Sequence, residues 1–264
     1  MAVTERTVRA WANRIAVNVK TAGSGPPVVF LHAAGGLVWD AFLDLLAEEY
    51  TVYAPEHPGT TAGDPDAIKP IDDLWDLVLF YYEVFDQLGL DRPAVVGGSF
   101  GGMVGAELAA TEPNRVSKLV LIAPLGLWRD DAPIPNWMIM TPEELSQLIF
   151  HDPDGAVATQ LLMPSEDEDE RIEAWLSLTW SYACTGKFVW PIPDKGLWKR
   201  IHRITAPTLL VWGKSDRLVP PLYAEEFTRR IEGSVVEIVE RTGHLPHLEA
   251  IGTVGPLVRN FLRA

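Results

Sequence analysis

Residues 95–103 read Val95-Val96-Gly97-Gly98-Ser99-Phe100-Gly101-Gly102-Met103. An apolar, β-branched run ends there in a serine flanked by glycines, and an alanine-rich helical pattern follows it. This is the G-x-S-x-G pattern of a strand-to-helix turn, which presents a serine hydroxyl at the end of a buried strand. Side chains at Gly97 and Gly101 would collide with so tight a turn, and glycine avoids the collision because it lacks Cβ. The pattern therefore predicts a strained backbone at Ser99 and a nucleophilic role for its hydroxyl.

Apolar runs and helical spacings alternate along the chain on both sides of this turn. We predict an opening hairpin from residues 7–11 and 14–20, followed by strands at 27–32, 51–54, 94–98, 116–123, 208–212 and 235–239. Helical spacing is present at 40–49, 71–88, 100–110, 222–231 and 247–262. Such alternation indicates an α/β fold with a mostly parallel sheet that helices flank on both faces. Because ligands of these sheets bind beyond the carboxyl ends of the strands, we expect the functional side chains just after strands.

Composition limits the classes of partner. The chain has 264 residues, 47% of them hydrophobic, which is enough for one large domain. A net charge of −14 argues against nucleic acid and anionic membranes as partners, because both are negatively charged and would be repelled. The single cysteine, Cys184, fits a reducing compartment and excludes an internal disulfide. No signal-peptide pattern and no run of about 18 apolar residues is present, so we expect a cytoplasmic protein without a membrane span. The sequence leaves open whether the protein forms a homo-oligomer.

The composition changes after Leu125-Gly126. Residues 127–195 are rich in Trp, Met and Pro. We predict that this segment is a mostly helical cap, inserted into a core made of residues 1–126 and 196–264. Its aromatic side chains predict an apolar pocket for small or medium acyl or aryl groups, and the alternative is that they only pack the cap onto the core.

A nucleophilic serine needs a base and a third group that fixes the tautomer of the base. His244 directly follows the last predicted strand and is the expected base, whereas His247 is expected to be structural. Asp216 lies in the loop after a buried strand and is the expected acid. The alternatives for this carboxylate are an ion pair with Lys214 or Arg217, or the cap of a turn. The order serine, aspartate, histidine along the chain is the order associated with this type of turn.

An oxyanion requires two N–H donors. The N–H of Phe100 is one candidate, because it stands at the head of the predicted helix and benefits from the helix dipole. The second donor is expected from the loop after the 27–31 strand, where we select Ala34. His32 is expected to support this loop through a hydrogen bond.

Four segments, taken together and in order, form a specific combination: 31–36 (LHAAGG), 97–102 (GGSFGG), 212–220 (WGKSDRLVP) and 243–249 (GHLPHLE). With them the chain resembles the α/β-hydrolase superfamily over nearly its whole length. The resemblance implies an eight-stranded sheet with a cap inserted after the sixth strand. It also implies that Ser99, Asp216 and His244 form a catalytic triad, with Ala34 and Phe100 as the oxyanion donors.

The superfamily does not fix the reaction. We expect a serine hydrolase that cleaves carboxylic esters of small to medium acyl or aryl groups through an acyl-enzyme, with no metal or organic cofactor. The enzymatic alternatives are a carbon–carbon bond hydrolase of aromatic ring-cleavage products, a lactonase and a perhydrolase. The carbon–carbon hydrolases resemble this chain in size and cap position, and they add a cationic residue near the cap to bind a dicarboxylate-like substrate. Arg129 is the cation near the start of the predicted cap. The alternative outside enzymes is a ligand-binding receptor of the same fold.

Overall fold

A computed structural model describes residues 2–61, 64–162, 165 and 167–264. Within these residues eight strands form one sheet. Their bounds are β1 Thr4–Ala10, β2 Ile15–Ala22, β3 Pro27–Leu31, β4 Thr51–Pro55, β5 Ala94–Gly98, β6 Leu119–Ile122, β7 Thr208–Gly213 and β8 Val235–Val239.

The strand order across the sheet is β1-β2-β4-β3-β5-β6-β7-β8. Only the first two pairings, β1 with β2 and β2 with β4, are antiparallel. The remaining neighbours are parallel, so the sheet is mixed but mostly parallel. This confirms the predicted fold class. The carboxyl ends of β5, β7 and β8 consequently lie at one edge of the sheet, and each is followed by a loop or turn.

The same residues contain nine α-helices: α1 Ala41–Ala47, α2 Leu74–Leu88, α3 Phe100–Thr111, α4 Pro142–Ile149, α5 Ala156–Leu162, α6 Glu168–Val189, α7 Leu222–Thr228, α8 Pro246–Glu249 and α9 Ile251–Arg263. The single helix predicted over 247–262 is wrong. The backbone leaves the helical region at Ala250 (φ −138°, ψ 52°) and separates α8 from α9. Both helices still bury apolar residues, so the apolar spacing did not reveal the break.

Helices cover both faces of the sheet because successive strand residues point to opposite sides. In β3, Val28 and Phe30 pack with buried residues of α1 and α9. Their neighbours Val29 and Leu31 pack with α2 and α3 on the other face. The central strands are buried on both faces, as their continuous apolar runs predict.

The segment between β6 and β7 holds α4, α5 and α6. Three of its positions, 163, 164 and 166, lie outside the described residues. Trp137 is buried, whereas Trp180 and Trp190 are about half exposed, so its aromatic residues do not share one role. The division of the chain into a core and a cap at 127–195 stays a prediction. Among the helices of the described residues, none combines the length with the apolar composition that a membrane span requires.

Candidate active site

Ser99 stands at the tight turn between β5 and α3. Its backbone has φ 51° and ψ −113°, a strained conformation for a residue with a side chain. A Cβ on Gly97 would lie 2.4 Å from the carbonyl oxygen of Gly101, and a Cβ on Gly101 would lie 2.0 Å from that of Leu31. Only glycine fits at these two positions, for the steric reason that the sequence suggests.

A chain of hydrogen bonds connects Ser99 with two distant loops. The Oγ of Ser99 lies 2.8 Å from Nε2 of His244, and Nδ1 of His244 lies 2.8 Å from Oδ2 of Asp216. All three side chains are buried. With the proton of the imidazole on Nδ1, directed at the carboxylate, Nε2 is free to accept the serine proton. The arrangement can therefore activate the hydroxyl for attack.

The carboxylate of Asp216 is held by more than the imidazole. Its Oδ1 accepts the N–H groups of Leu218 at 3.0 Å and Val219 at 2.9 Å. The alternative ion pairs do not form, because Lys214 pairs with Glu240 and Arg217 donates to main-chain carbonyls. The aspartate oxygens are thus divided between a backbone turn and His244.

The loop that carries His244 packs against the C-terminal end of α4. The N–H of His244 donates to the carbonyl of Ile149 at 2.5 Å. A Cβ on Gly243 would lie 2.1 Å from the same oxygen, and one on Gly213 would lie 1.9 Å from the carbonyl of Gly243. The loops after β7 and β8 therefore pack backbone against backbone, which fixes the distance between Asp216 and His244.

Glu249 supports this loop, a role that the sequence analysis does not predict. Its carboxylate accepts the N–H of Gly243 at 2.7 Å and that of His151 at 2.8 Å. The ring of His151 in turn bonds to Oγ of Ser215 at 2.7 Å. Burial raises the pKa of Glu249. Glu249 does lie in the 243–249 segment, but no local pattern reveals that its partners are main-chain groups of two separate loops.

Two buried histidines hold the loop that contains Ala34. Nδ1–H of His32 donates to the carbonyl of Ala33 at 2.7 Å, and its Nε2 accepts the N–H of His57 at 2.9 Å. Nε2–H of His57 donates to the carbonyl of His32 at 2.9 Å, and its Nδ1 accepts the hydroxyl of Tyr81. Each neutral ring has its tautomer fixed by these partners. His32 supports the loop as expected, whereas His57 and Tyr81 were not anticipated.

Ala34 and Phe100 come from neighbouring elements. The loop of Ala34 begins at His32, and a Cβ on Gly101 would come within 2.5 Å of the His32 carbonyl oxygen. Phe100 is the first residue of α3, and its ring lies 4.9 Å from that of His57. Their roles as oxyanion donors stay a prediction.

Helix α6 covers this loop. A Cβ on Gly35 would lie 2.9 Å from Cδ1 of Leu178, and the hydroxyl of Thr185 reaches the carbonyl of Ala34 at 3.4 Å. Cys184 lies on the same helix, is buried, and has its pKa raised by burial to about 11. Its thiol is therefore protonated at neutral pH and is a poor nucleophile.

Arg129 is engaged by carboxylates. Its guanidinium donates to Asp131 at 2.9 and 2.6 Å and to Glu226 at 2.7 Å. It is therefore not poised to bind a dicarboxylate-like substrate. Within the residues that the structure describes, no group of three or more His, Cys, Asp or Glu side chains is placed to hold a metal ion.

Burial lowers the pKa of three histidines around the site. The pKa falls to about 4 for His57 and to about 3 for His247, and it falls well below the ordinary value for His32. His247 packs edge-on against Phe42, and its Nδ1 has no hydrogen-bond partner within the described chain. This environment suits the structural role expected of His247.

These shifts predict that acid destabilises the protein. A histidine has a pKa of about 6.5 when unfolded, so below that pH the unfolded chain binds protons that the folded chain does not. The free energy of unfolding should thus fall as the pH drops from about 6.5 to 4, with about 3 kcal/mol due to His57 alone. Urea unfolding at a series of pH values measures the slope.

The variant His57→Gln should flatten this slope, because one neutral buried imidazole no longer titrates on unfolding. His202→Gln, at an exposed position, is the matched control and should leave the slope unchanged. Equal slopes for the wild-type protein and His57→Gln would contradict the claim that buried His57 contributes to the loss of stability in acid.

The comparisons with known proteins point to one family. The sequence profile of the alpha/beta hydrolase family matches residues 28–254. The dihydrolipoyllysine-residue acetyltransferase component of an acetoin cleaving system from Cupriavidus necator is 28% identical over 91% of this chain, which spans only 64% of that longer protein. A 2-hydroxy-6-oxononadienedioate/2-hydroxy-6-oxononatrienedioate hydrolase from Klebsiella pneumoniae is 30% identical, over 93% of this chain and 90% of its own. A pimeloyl-[acyl-carrier protein] methyl ester esterase from Nitrosomonas europaea is 25% identical, over 88% and 94%.

A solved structure supports the fold. The 2-hydroxy-6-oxo-6-phenylhexa-2,4-dienoate hydrolase from a Rhodococcus strain superimposes with a TM-score of 0.77 over 100% of both chains. At 21% sequence identity this likeness concerns the fold alone.

Proposed function

The chain belongs to the alpha/beta hydrolase family, and we propose that it is a serine hydrolase that cleaves carboxylic esters of small to medium acyl or aryl groups. The observation that carries the proposal is the hydrogen-bonded chain from Ser99 through His244 to Asp216, built on loops that follow β5, β8 and β7. A ligand-binding receptor of the same fold does not require the complete set of hydrogen bonds from Ser99 through His244 to Asp216. The presence of this set therefore favours an enzyme.

The proposed reaction has two stages. Oγ of Ser99 attacks the ester carbonyl while Nε2 of His244 takes its proton, and the N–H groups of Ala34 and Phe100 stabilise the oxyanion. His244 then protonates the departing alcohol, which leaves an acyl group on Ser99. Water, activated by His244, hydrolyses this acyl-enzyme and restores the serine. Asp216 keeps the imidazole oriented and stabilises it while it carries the extra proton. We further propose that residues 127–195 act as a cap, with α6 as the helix that excludes water from the site.

Ester cleavage is favoured over carbon–carbon cleavage by the state of Arg129. A dicarboxylate-like substrate requires a cation that is free to bind it, whereas Arg129 is already paired with Asp131 and Glu226. The relative named as a methyl ester esterase supports the choice. Carbon–carbon hydrolysis is the second candidate, because the relative from Klebsiella pneumoniae is named for a substrate of that class.

The test compares the two reactions with one preparation of folded protein. We expect p-nitrophenyl butyrate to give a burst of p-nitrophenolate equal to the enzyme concentration, followed by slower turnover. The ring-cleavage product 2-hydroxy-6-oxononadienedioate, a dicarboxylate, should be turned over more slowly, if at all. Faster turnover of the ring-cleavage product would establish the second candidate. Absence of turnover with either substrate would contradict an enzymatic function.

A further inference from the structure

A cavity of about 370 Å³ lies between α2, α3, the end of α6 and the turn at residues 195–200. This volume falls in the range of about 300–1,000 Å³ that is typical of small-molecule sites. Its lining, within the described residues, includes none of Ser99, Asp216, His244 or Ala34. The cavity is therefore separate from the candidate active site.

One side of the cavity is apolar. Leu74 and Val78 of α2 and Phe188 of α6 line it and are buried. Trp75 also lines it and is 53% exposed, which places this indole at the boundary with solvent. A ligand with an aliphatic or aromatic body would find a matching surface here.

Three charged groups of the cavity lining, on Glu107, Arg200 and Asp73, are hydrogen-bonded within the protein. Glu107 is 1% exposed and binds Arg200 through two hydrogen bonds of 2.5 and 2.6 Å. The carboxylate of Asp73 accepts the N–H of Asp76 and so caps the first turn of α2. Glu107 and Arg200 therefore neutralise each other, whereas Asp73 keeps its negative charge at the N-terminus of α2.

Two further lysines line the cavity, Lys187 near Asp72 and Lys195 near Asp194, but within the described residues neither ammonium donates a hydrogen bond to a carboxylate. The ammonium of Lys195 donates to the neutral carbonyl of Trp190 at 2.7 Å. The ammonium of Lys187 lies 4.0 Å from Asp72, whose side chain is 89% exposed, and such an exposed pair contributes little. The two ammonium groups therefore keep N–H donors available to an anion, in a chain whose net charge is −14.

We propose that this cavity is a second small-molecule site, which takes an amphipathic monocarboxylate. The carboxylate binds between Lys187 and Lys195, and the apolar body packs against Leu74, Val78 and Phe188. The ring of Phe188 also stacks on that of Phe100, with centroids 6.0 Å apart. A ligand that contacts Phe188 is thus separated by one aromatic contact from Phe100, the residue after Ser99. The site does not use the hydroxyl of Ser99 and stands independently of the proposed function.

The probe is octanoate, measured by ¹⁹F NMR on protein labelled with 5-fluorotryptophan. We expect the resonance of Trp75, assigned with Trp75→Phe, to shift on titration in the wild-type protein and in Ser99→Ala. Octanamide has the same apolar body without the charge and should bind at least about ten-fold more weakly. Binding confined to other tryptophans, or equal binding of the amide, would overturn the proposal.

Variants test the two ammonium groups. Lys187→Gln combined with Lys195→Gln should weaken octanoate binding by about ten-fold or more, because two charge-assisted hydrogen bonds are lost. Lys199→Gln is the matched control: Lys199 lies on the same turn, next to Trp198, but does not line the cavity. Unchanged affinity in the double variant would overturn the proposal, as would equal loss in the control.

Discussion

Replacing Ser99 by alanine is expected to lower kcat for ester hydrolysis by about 10⁴- to 10⁶-fold, because the attacking atom is removed. The fold should persist. Alanine has the same Cβ as serine, so it meets the same backbone strain, and the loss is one hydrogen bond to His244, worth about 1 kcal/mol. The expected result is an inactive protein with a nearly unchanged unfolding curve.

Initial rates with p-nitrophenyl butyrate, together with the pre-steady-state burst, measure the effect. Ser234→Ala is the matched control, because this hydroxyl donates to the carbonyl of Ile231 at a surface turn before β8, away from the candidate active site. That variant should retain the burst and the wild-type kcat. If Ser99→Ala kept activity within about ten-fold of wild type, Ser99 could not be the nucleophile.

The turn at Ser99 was predictable because its steric rule is local. A strand, a serine between glycines and a helix follow each other within one short stretch, and Gly97 and Gly101 are required by contacts inside the turn and with the adjacent β3. The meeting of Asp216 and His244 with Ser99 was predictable for a different reason. In a mostly parallel sheet the carboxyl ends of strands share one edge, so residues just after β5, β7 and β8 converge.

The supports of the site could not be predicted in the same way. The carbonyl of Ile149, the carboxylate of Glu249 and the pair His57–Tyr81 act through contacts between segments far apart in the chain. Such contacts depend on tertiary packing and leave no period or spacing in the sequence. The break at Ala250 leaves no signal in the sequence, because one non-helical residue hardly disturbs an apolar pattern.

Replacing Asp216 by asparagine is expected to lower kcat by about 10⁴-fold at neutral pH. The backbone turn after residue 216 determines the orientation of the new side-chain amide. Oδ1 of Asp216 accepts two N–H groups, from Leu218 and Val219, so the amide oxygen must take that position. The NH₂ group then faces Nδ1 of His244 and donates to it. This favours the tautomer with the proton on Nε2, which cannot accept the proton of Ser99.

A comparison of Asp216→Asn with Asp216→Ala separates two roles of this side chain: it sets the tautomer of His244, and it stabilises the turn that follows it. Alanine removes the acceptor for both turn N–H groups as well as the partner of His244, so the free energy of unfolding should fall by about 1–3 kcal/mol for each N–H left unpaired. Asparagine keeps that acceptor and should be nearly as stable as the wild-type protein. Asp86→Asn, which weakens a surface pair with Arg115, should preserve both activity and stability. An inactive, stable Asp216→Asn would show that the aspartate acts by fixing the proton on the imidazole. A variant that retained more than about a tenth of the wild-type kcat would contradict that role.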